Sequence, residues 1–142
     1  DPDSMVSLPR RDNLPVFPVF KRNALDPFLL EINRSGKKWV IIVDEHEQPF
    51  MVLNANGFLR EALFGKGALN PYSFCHRPVI VKDPGTLLGT VLPHLRVQAE
   101  SGLDDVIDED LILIWAESKR VITGSDILGR LLRGIARREG EA

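Results

Sequence analysis

The sequence of 142 residues contains a single cysteine, Cys75, a single tyrosine and no long apolar run. One cysteine excludes an internal disulfide, so a reducing, cytoplasmic setting is expected. No apolar run approaches the ~20 residues that a membrane-spanning helix needs. The first residues also lack the basic and then apolar pattern of a secretory signal. We therefore expect no direct membrane insertion.

The sequence also lacks a strong excess of charge of either sign, with a formal net charge of −2 and an isoelectric point near 5.9. This balance gives no broad positive field for nucleic acid or an anionic membrane, so neither is an expected partner. An apolar content of 44% suffices for one compact domain or for two small units that share a core. No Ser/His/Asp or Cys/His spacing indicates a nucleophile, so no catalytic residue is predicted.

Two strand-to-helix junctions in the sequence have the same pattern. In the segment 120–128 a short apolar strand delivers Thr123 and Asp126 together at the start of a helix. An earlier apolar strand leads in the same way to Asn54 and Gly57. A repeated pattern of this kind indicates an internal duplication.

Apolar spacing and turn residues predict the same order of elements in both units. Unit one is predicted to contain a strand at Val16 to Lys21, a helix from Asp26 and Pro27 to Gly36, strands at Trp39 to Val43 and Pro49 to Leu53, and a helix over Phe58 to Leu63 that stops at Gly65. Unit two is predicted to contain a strand at Val79 to Lys82, a helix from Asp83 and Pro84, a hairpin over Leu111 to Ile122, and a final helix that buries Ile127 to Ile135. Pro71 to Cys75 would link the units, and the acidic segment Asp104 to Asp110 would be an insertion.

This order, with Thr-x-x-Asp after the last strand, resembles the cystathionine-β-synthase (CBS) domain in its tandem form, the Bateman module. The resemblance runs from about Leu14 to Arg138. It implies an α/β fold in which two β-β-α units are related by a pseudo-two-fold axis, with their sheets packed face to face and the helices outside. The expected divisions are an N-terminal extension (1–13), CBS unit 1 (14–69), CBS unit 2 (70–138) and a C-terminal tail (139–142).

The Thr123 to Asp126 segment has two compatible interpretations. A hydroxyl and a carboxylate on one turn suit the two hydroxyls of a ribose. Alternatively, Thr123 or Ser125 caps the helix and Asp126 improves the electrostatics of its first turn. In the resembled family these positions hold the ribose of an adenosine nucleotide or adenosyl compound, and nearby strand residues hold the adenine. The resemblance therefore implies a ligand site made of Thr123, Asp126, Ser125, Val79, Ile80, Val81, Ile112 and Ile122.

The other candidate sites are weaker. Unit one has Gly57 in place of the carboxylate, so it is expected to be the poorer ligand site. The acidic segment Asp104 to Asp110 has two interpretations, a solvated loop or a magnesium site, and it lacks the oxygen spacing of a calcium loop. Cys75 and His76 are adjacent and have no second ligand pair, so they do not predict a zinc site.

The resemblance implies a regulatory, ligand-sensing module, not an enzyme, that controls a linked effector domain or partner protein. No cofactor is required, and the expected ligands are AMP, ADP, ATP or S-adenosylmethionine. A symmetric homodimer is expected through the apolar residues of the helix over Phe58 to Phe64. Two alternatives stay open at this point, a ligand-free dimerisation or scaffold module and an unrelated small enzyme.

Overall fold

The computed structural model describes residues 4–83 and 104–126. In these residues the chain is mixed α/β, with a six-stranded sheet, a small two-stranded sheet and few helices. The strands are β1 (Met5–Ser7), β2 (Arg10–Arg11), β3 (Leu14–Pro15), β4 (Trp39–Val43), β5 (Pro49–Asn54), β6 (Cys75–Val81), β7 (Ile107–Trp115) and β8 (Lys119–Thr123). The helices are α1 (Pro27–Asn33), α2 (Ala55–Phe64) and a 3-10 helix, Pro71–Phe74. None of the helices in the described ranges is long and apolar enough to cross a membrane.

The six-stranded sheet contains the same pattern of strand pairing twice. Its strand order is β1-β4-β5-β6-β7-β8. In the first half β1 is parallel to β4, and β4 is antiparallel to β5. In the second half β6 is parallel to β7, and β7 is antiparallel to β8. Helical residues follow directly after β5 and after β8. This repetition is the arrangement that an internal duplication predicts.

The two halves form one hydrogen-bonded sheet, so the expectation of two separate, facing sheets is wrong. Strand β6 pairs antiparallel with β5, with Val52 opposite His76 and Leu53 opposite Cys75. The physical reason is that the 3-10 helix returns the chain directly to the edge of β5 that does not pair with β4. That edge would otherwise present an open row of backbone N–H and C=O groups.

The sheet nevertheless curls until parts of its inner face pack against each other. Ile41 and Val52 of the first half lie in one buried cluster with Leu111 and Leu113 of the second half. Residues of both outermost strands pack on the edge of this cluster, Met5 from β1 and Val121 from β8 in the described sheet. Contact between the inner faces of the two halves is therefore achieved by curling of a single sheet.

The outer face of the first half is covered by helices and aromatic side chains. Phe58 of α2 is completely buried and lies at the centre of this layer. It contacts the rings of Phe17, Phe20, Phe28 and Phe74 at centroid distances between 5.7 and 6.3 Å. Such edge-to-face and offset contacts add to the apolar area that the helices bury.

The prediction of a strand at Val16 to Lys21 is wrong, because this segment is irregular. Pro18 lacks the N–H group that a ladder requires. The N–H of Lys21 donates instead to the carboxylate of Asp26, at 2.8 Å. The strand that pairs with β4 is β1, which lies in the segment assigned from sequence to an N-terminal extension.

Most other elements of the first half agree with the sequence prediction. Asp26 caps α1 by accepting from the N–H groups of Phe28 and Leu29, and Pro27 is the first helical residue. Gly36 has a φ of 66°, the left-handed conformation that favours glycine after a helix. Gly65 ends α2. In the second half the predicted hairpin is confirmed, while the helix predicted from Asp83 and Pro84 and the residues 127–135 lie outside the described residues.

Arg22 attaches the irregular segment to the end of α2. Its guanidinium donates to four backbone carbonyls, those of Glu61, Ala62, Gly65 and Gly67, at distances between 2.6 and 3.1 Å. The last carbonyls of a helix have no partner within the helix. A positive charge at this end also interacts favourably with the helix dipole. Arg22 therefore stabilises α2 and the segment that covers it.

We predict that Arg22→Met lowers the free energy of unfolding by about 1.5–3 kcal/mol, the range for hydrogen bonds to a charged group. Urea unfolding followed by circular dichroism measures the change. Arg60→Met is the matched control, because Arg60 is an exposed arginine on α2, the helix that Arg22 contacts. It should change stability by less than about 0.5 kcal/mol. Equal effects of the two substitutions would contradict the assignment.

A second prediction concerns Asp26, whose pKa is lowered by the hydrogen bonds from the N–H groups of Lys21, Leu29 and Phe28, although burial opposes the shift. A carboxyl whose pKa is lower in the folded state stabilises the fold above its unfolded pKa, and this contribution is lost as the pH falls through the folded value. Asp26→Asn keeps an acceptor but does not titrate. Its stability should therefore fall less than that of the wild type between about pH 5 and about pH 2. Urea midpoints over this range test it, and parallel curves would contradict it.

Candidate functional site

Thr123 and Asp126 are joined by two reciprocal hydrogen bonds at the end of β8. The N–H of Thr123 donates to Asp126 Oδ2 at 3.1 Å, and the N–H of Asp126 donates to Thr123 Oγ1 at 3.1 Å. This geometry is a capping box, in which two backbone donors at a helix start are satisfied by side chains. The capping interpretation of the sequence is confirmed, with Thr123 as the capping residue.

The capped turn presents a hydroxyl and a carboxylate near the surface. The hydroxyl oxygen of Thr123 accepts from the N–H of Asp126 and keeps its own proton as a donor. The carboxylate of Asp126 accepts from the N–H of Thr123. Both side chains lie towards the surface.

The structure brings together most of the apolar residues of the predicted ligand site. Val81, Ile112 and Ile122 form one buried cluster, and Val79 packs against it. Ile112 is the register partner of both Val79 and Ile122. Ile122 immediately precedes Thr123 in β8, so one member of this cluster is next to the capping turn in the chain.

Two predicted site residues lie apart from that cluster. Ile80 points to the opposite face of the sheet from Val79 and Val81, because successive strand residues alternate. It is 36% exposed and pairs with Leu113. Ser125 is exposed on the first helical residues after β8 and is not the cap.

At the equivalent turn in the first half, the side chains of Asn54 and Phe74 lie close to Gly57. Asn54 caps α2 by accepting from the N–H of Gly57 at 3.0 Å. A Cβ atom on Gly57 would lie 3.1 Å from Asn54 Nδ2 and 3.2 Å from the ring of Phe74. A carboxylate-bearing residue at position 57 would therefore be crowded. This crowding agrees with the expectation that the first half is the poorer ligand site.

The acidic segment is largely paired and partly in a strand, so its interpretation as a solvated loop is wrong. Asp108 and Asp110 lie in β7, where a shift of register and the positive φ of Glu109 indicate a bulge. Arg77 donates to Asp104 at 2.8 Å and to Asp108 at 2.5 Å. The hydrogen bond from Arg77 is the main reason that the pKa of Asp104 is lowered. These carboxylates therefore balance a partly buried arginine.

The His76 ring contacts the carboxylate of Asp110 beside these ion pairs. Its Nδ1 lies 2.9 Å from Asp110 Oδ1, and its ring meets that of Trp39 edge to face at 5.1 Å. Neighbouring Cys75 is fully buried, and burial raises the pKa of its thiol to about 12. A thiol with this pKa is protonated at neutral pH, which argues against a cysteine nucleophile. Within the described ranges no three His, Cys, Asp or Glu side chains are arranged to hold a metal ion.

Comparison of the chain with protein-family models, curated proteins and solved structures finds no match. The resemblance to the CBS domain therefore rests on the residues quoted above.

Proposed function

We propose that the chain is a regulatory module of the tandem CBS type that binds an adenosine nucleotide or adenosyl compound in its second half. The observation that carries the proposal is the Thr123 and Asp126 pair, which follows Ile122 of the apolar cluster directly in the chain. Ligand sites commonly combine an apolar wall with a few polar groups that fix orientation. In this proposal Thr123 and Asp126 hold the ribose, and the apolar cluster contacts the adenine.

The repeated strand pairing supports this proposal, because a capped helix start follows β5 in the first half and β8 in the second half. Ligand binding at β8 would favour one arrangement of that strand and of the helix that follows it. A linked effector domain in the cytoplasm would respond to the extent that the ligand prefers one state over the other. The module itself would carry out no reaction.

We predict one adenosine-containing ligand per chain and a weaker interaction in Asp126→Ala. Removing the carboxylate leaves ribose hydroxyls without an acceptor, which costs ~1–3 kcal/mol, or about one to two decades in affinity. Titration calorimetry with AMP, ADP, ATP, NAD and S-adenosylmethionine, with and without magnesium, measures stoichiometry and affinity.

Asn54→Ala is the control for stability, because it removes a capping hydrogen bond at the corresponding helix of the first half. Each substitution should lower stability by ~1 kcal/mol through loss of one hydrogen bond at a helix start, but only Asp126→Ala should weaken binding. Equal affinity in the wild type and Asp126→Ala would show that the pair only caps the helix. Two equivalent sites per chain would contradict the assignment to the second half.

Exposed apolar side chains at the end of α2 favour self-association as part of this proposal. Phe64 is 78% exposed, and Leu63 is 36% exposed. Phe58, which the sequence also suggested as an interface residue, is buried in the core of its own half. The proposed homodimer would therefore use the last turn of α2, not the whole helix.

Phe64→Ser should shift the chain towards the monomer, because it removes a large apolar contact from the proposed interface. Sedimentation equilibrium over a range of protein concentrations measures the change. Val19→Ser is a suitable control, since Val19 is fully exposed outside this helix. A wild-type chain that is monomeric at high micromolar concentration would contradict the proposed dimer.

A further inference from the structure

A cavity of about 270 Å³ lies where the two outermost described strands of the curled sheet, β1 and β8, approach each other. One wall is formed by Ser4, just before β1, and by residues at the start of β4. The opposite wall is formed by the first three residues of β8. The cavity therefore contains groups from both halves of the chain.

Four basic side chains line this cavity, namely Lys37, Lys38, Lys119 and Arg120, and none of its described lining residues is acidic. The ammonium groups of Lys38 and Lys119 lie over the rings of Trp39 and Trp115, 4.9 and 4.6 Å from the ring centroids. These cation–π contacts orient the charges without neutralising them. Several positive groups around one cavity produce a local potential that attracts anions.

Glu117 is the acidic residue nearest to Lys119 in sequence, and it lies in the turn between β7 and β8. It lines a neighbouring cavity of about 440 Å³ that shares Arg120 with the basic one. Glu117 therefore lies beside the basic cavity and outside its described lining.

The lining of the basic cavity also includes three apolar residues. These are Trp39, Ile41 and Val121, which belong to or pack against the cluster that joins the two halves. Apolar surface beside basic groups suits a compact anion attached to a small organic group. The volume lies just below the ~300 Å³ at which typical ligand pockets begin, so one or two phosphate groups fit better than a whole nucleotide.

Ser4 supplies an independent indication of a ligand. The residue is only 7% exposed, and its hydroxyl oxygen is buried without a hydrogen-bond partner among the described residues. Buried hydroxyl groups are nearly always hydrogen-bonded. Rotation of the Ser4 side chain towards the cavity would let its hydroxyl donate to a phosphate oxygen at this wall.

We infer that this cavity binds the phosphate or diphosphate group of a small molecule, with Lys38, Lys119 and Arg120 as counter-charges and Ser4 as a hydrogen-bond donor. The inference does not rest on the proposed adenosine site. Arg120 and Thr123 are three residues apart on β8, which is about 10 Å along a strand. The two sites can therefore be tested separately.

Fluorescence of Trp39 reports on the cavity directly. Trp115→Phe leaves Trp39 as the only tryptophan of the two in the sequence and keeps an aromatic ring beneath Lys119. Titrating this variant with pyrophosphate at constant ionic strength should give a saturable change, with a Kd below about 1 mM. Adding Lys119→Gln or Arg120→Gln should weaken binding about tenfold each, through loss of one charge-assisted hydrogen bond.

Lys66→Gln is the control for net charge, because Lys66 is an exposed lysine outside the cavity, and it should leave the affinity unchanged. Asp126→Ala should also bind pyrophosphate normally, and adenosine without phosphate should not compete. Saturable binding of pyrophosphate or of a phosphorylated metabolite such as ATP supports the site. Comparison of the two affinities then distinguishes a site for free phosphate from a site for phosphate attached to a small molecule. No saturable response, or equal weakening by Lys66→Gln and Arg120→Gln in folded protein, would overturn it.

Discussion

The contact between the inner faces of the two halves is the constraint on which the rest of the structure depends. The outer face of the first half is covered by α1, α2 and the aromatic layer. Its inner face, with Ile41 and Val52, shares a buried cluster with Leu111 and Leu113 of the second half. Burial of this apolar surface favours the curl, because a flat sheet would leave it in water. The curl also brings Ser4 and the start of β8 to the same cavity.

Local elements of the fold were predictable because their signals are local. The carboxylate of Asp26 before Pro27 predicted the start of α1, and apolar runs predicted β4, β5 and the hairpin of β7 and β8. The pairing of Val52 and Leu53 with His76 and Cys75 has no such signal, since it depends on the path taken after α2. Strand β1 has only three residues and was missed. The more apolar segment after Pro15 was wrongly predicted to be a strand, because Pro18 within it opposes strand pairing.

One candidate site was likewise predictable from local sequence signals, and the other was not. The spacing of Thr123 and Asp126 predicted a helix cap, and the duplication allowed comparison with Asn54 and Gly57. The basic cavity was missed because its two lysine-containing pairs, Lys37 with Lys38 and Lys119 with Arg120, are far apart in sequence. Only the curl brings them together. The pairing of Arg77 with the acidic segment was missed for a related reason, since the parallel pairing of β6 with β7 joins residues that are about 30 positions apart.

Methyl nuclear Overhauser effects test the central contact most directly. With isoleucine, leucine and valine methyl groups labelled, we expect cross-peaks between Ile41, Val43 or Val52 of the first half and Leu111 or Leu113 of the second half. Cross-peaks within each half, such as those between Val40 and Leu53, serve as the internal reference. Reference cross-peaks without any between the halves would show that the inner faces do not pack together, and this result would contradict the curled sheet and the cavity that depends on it.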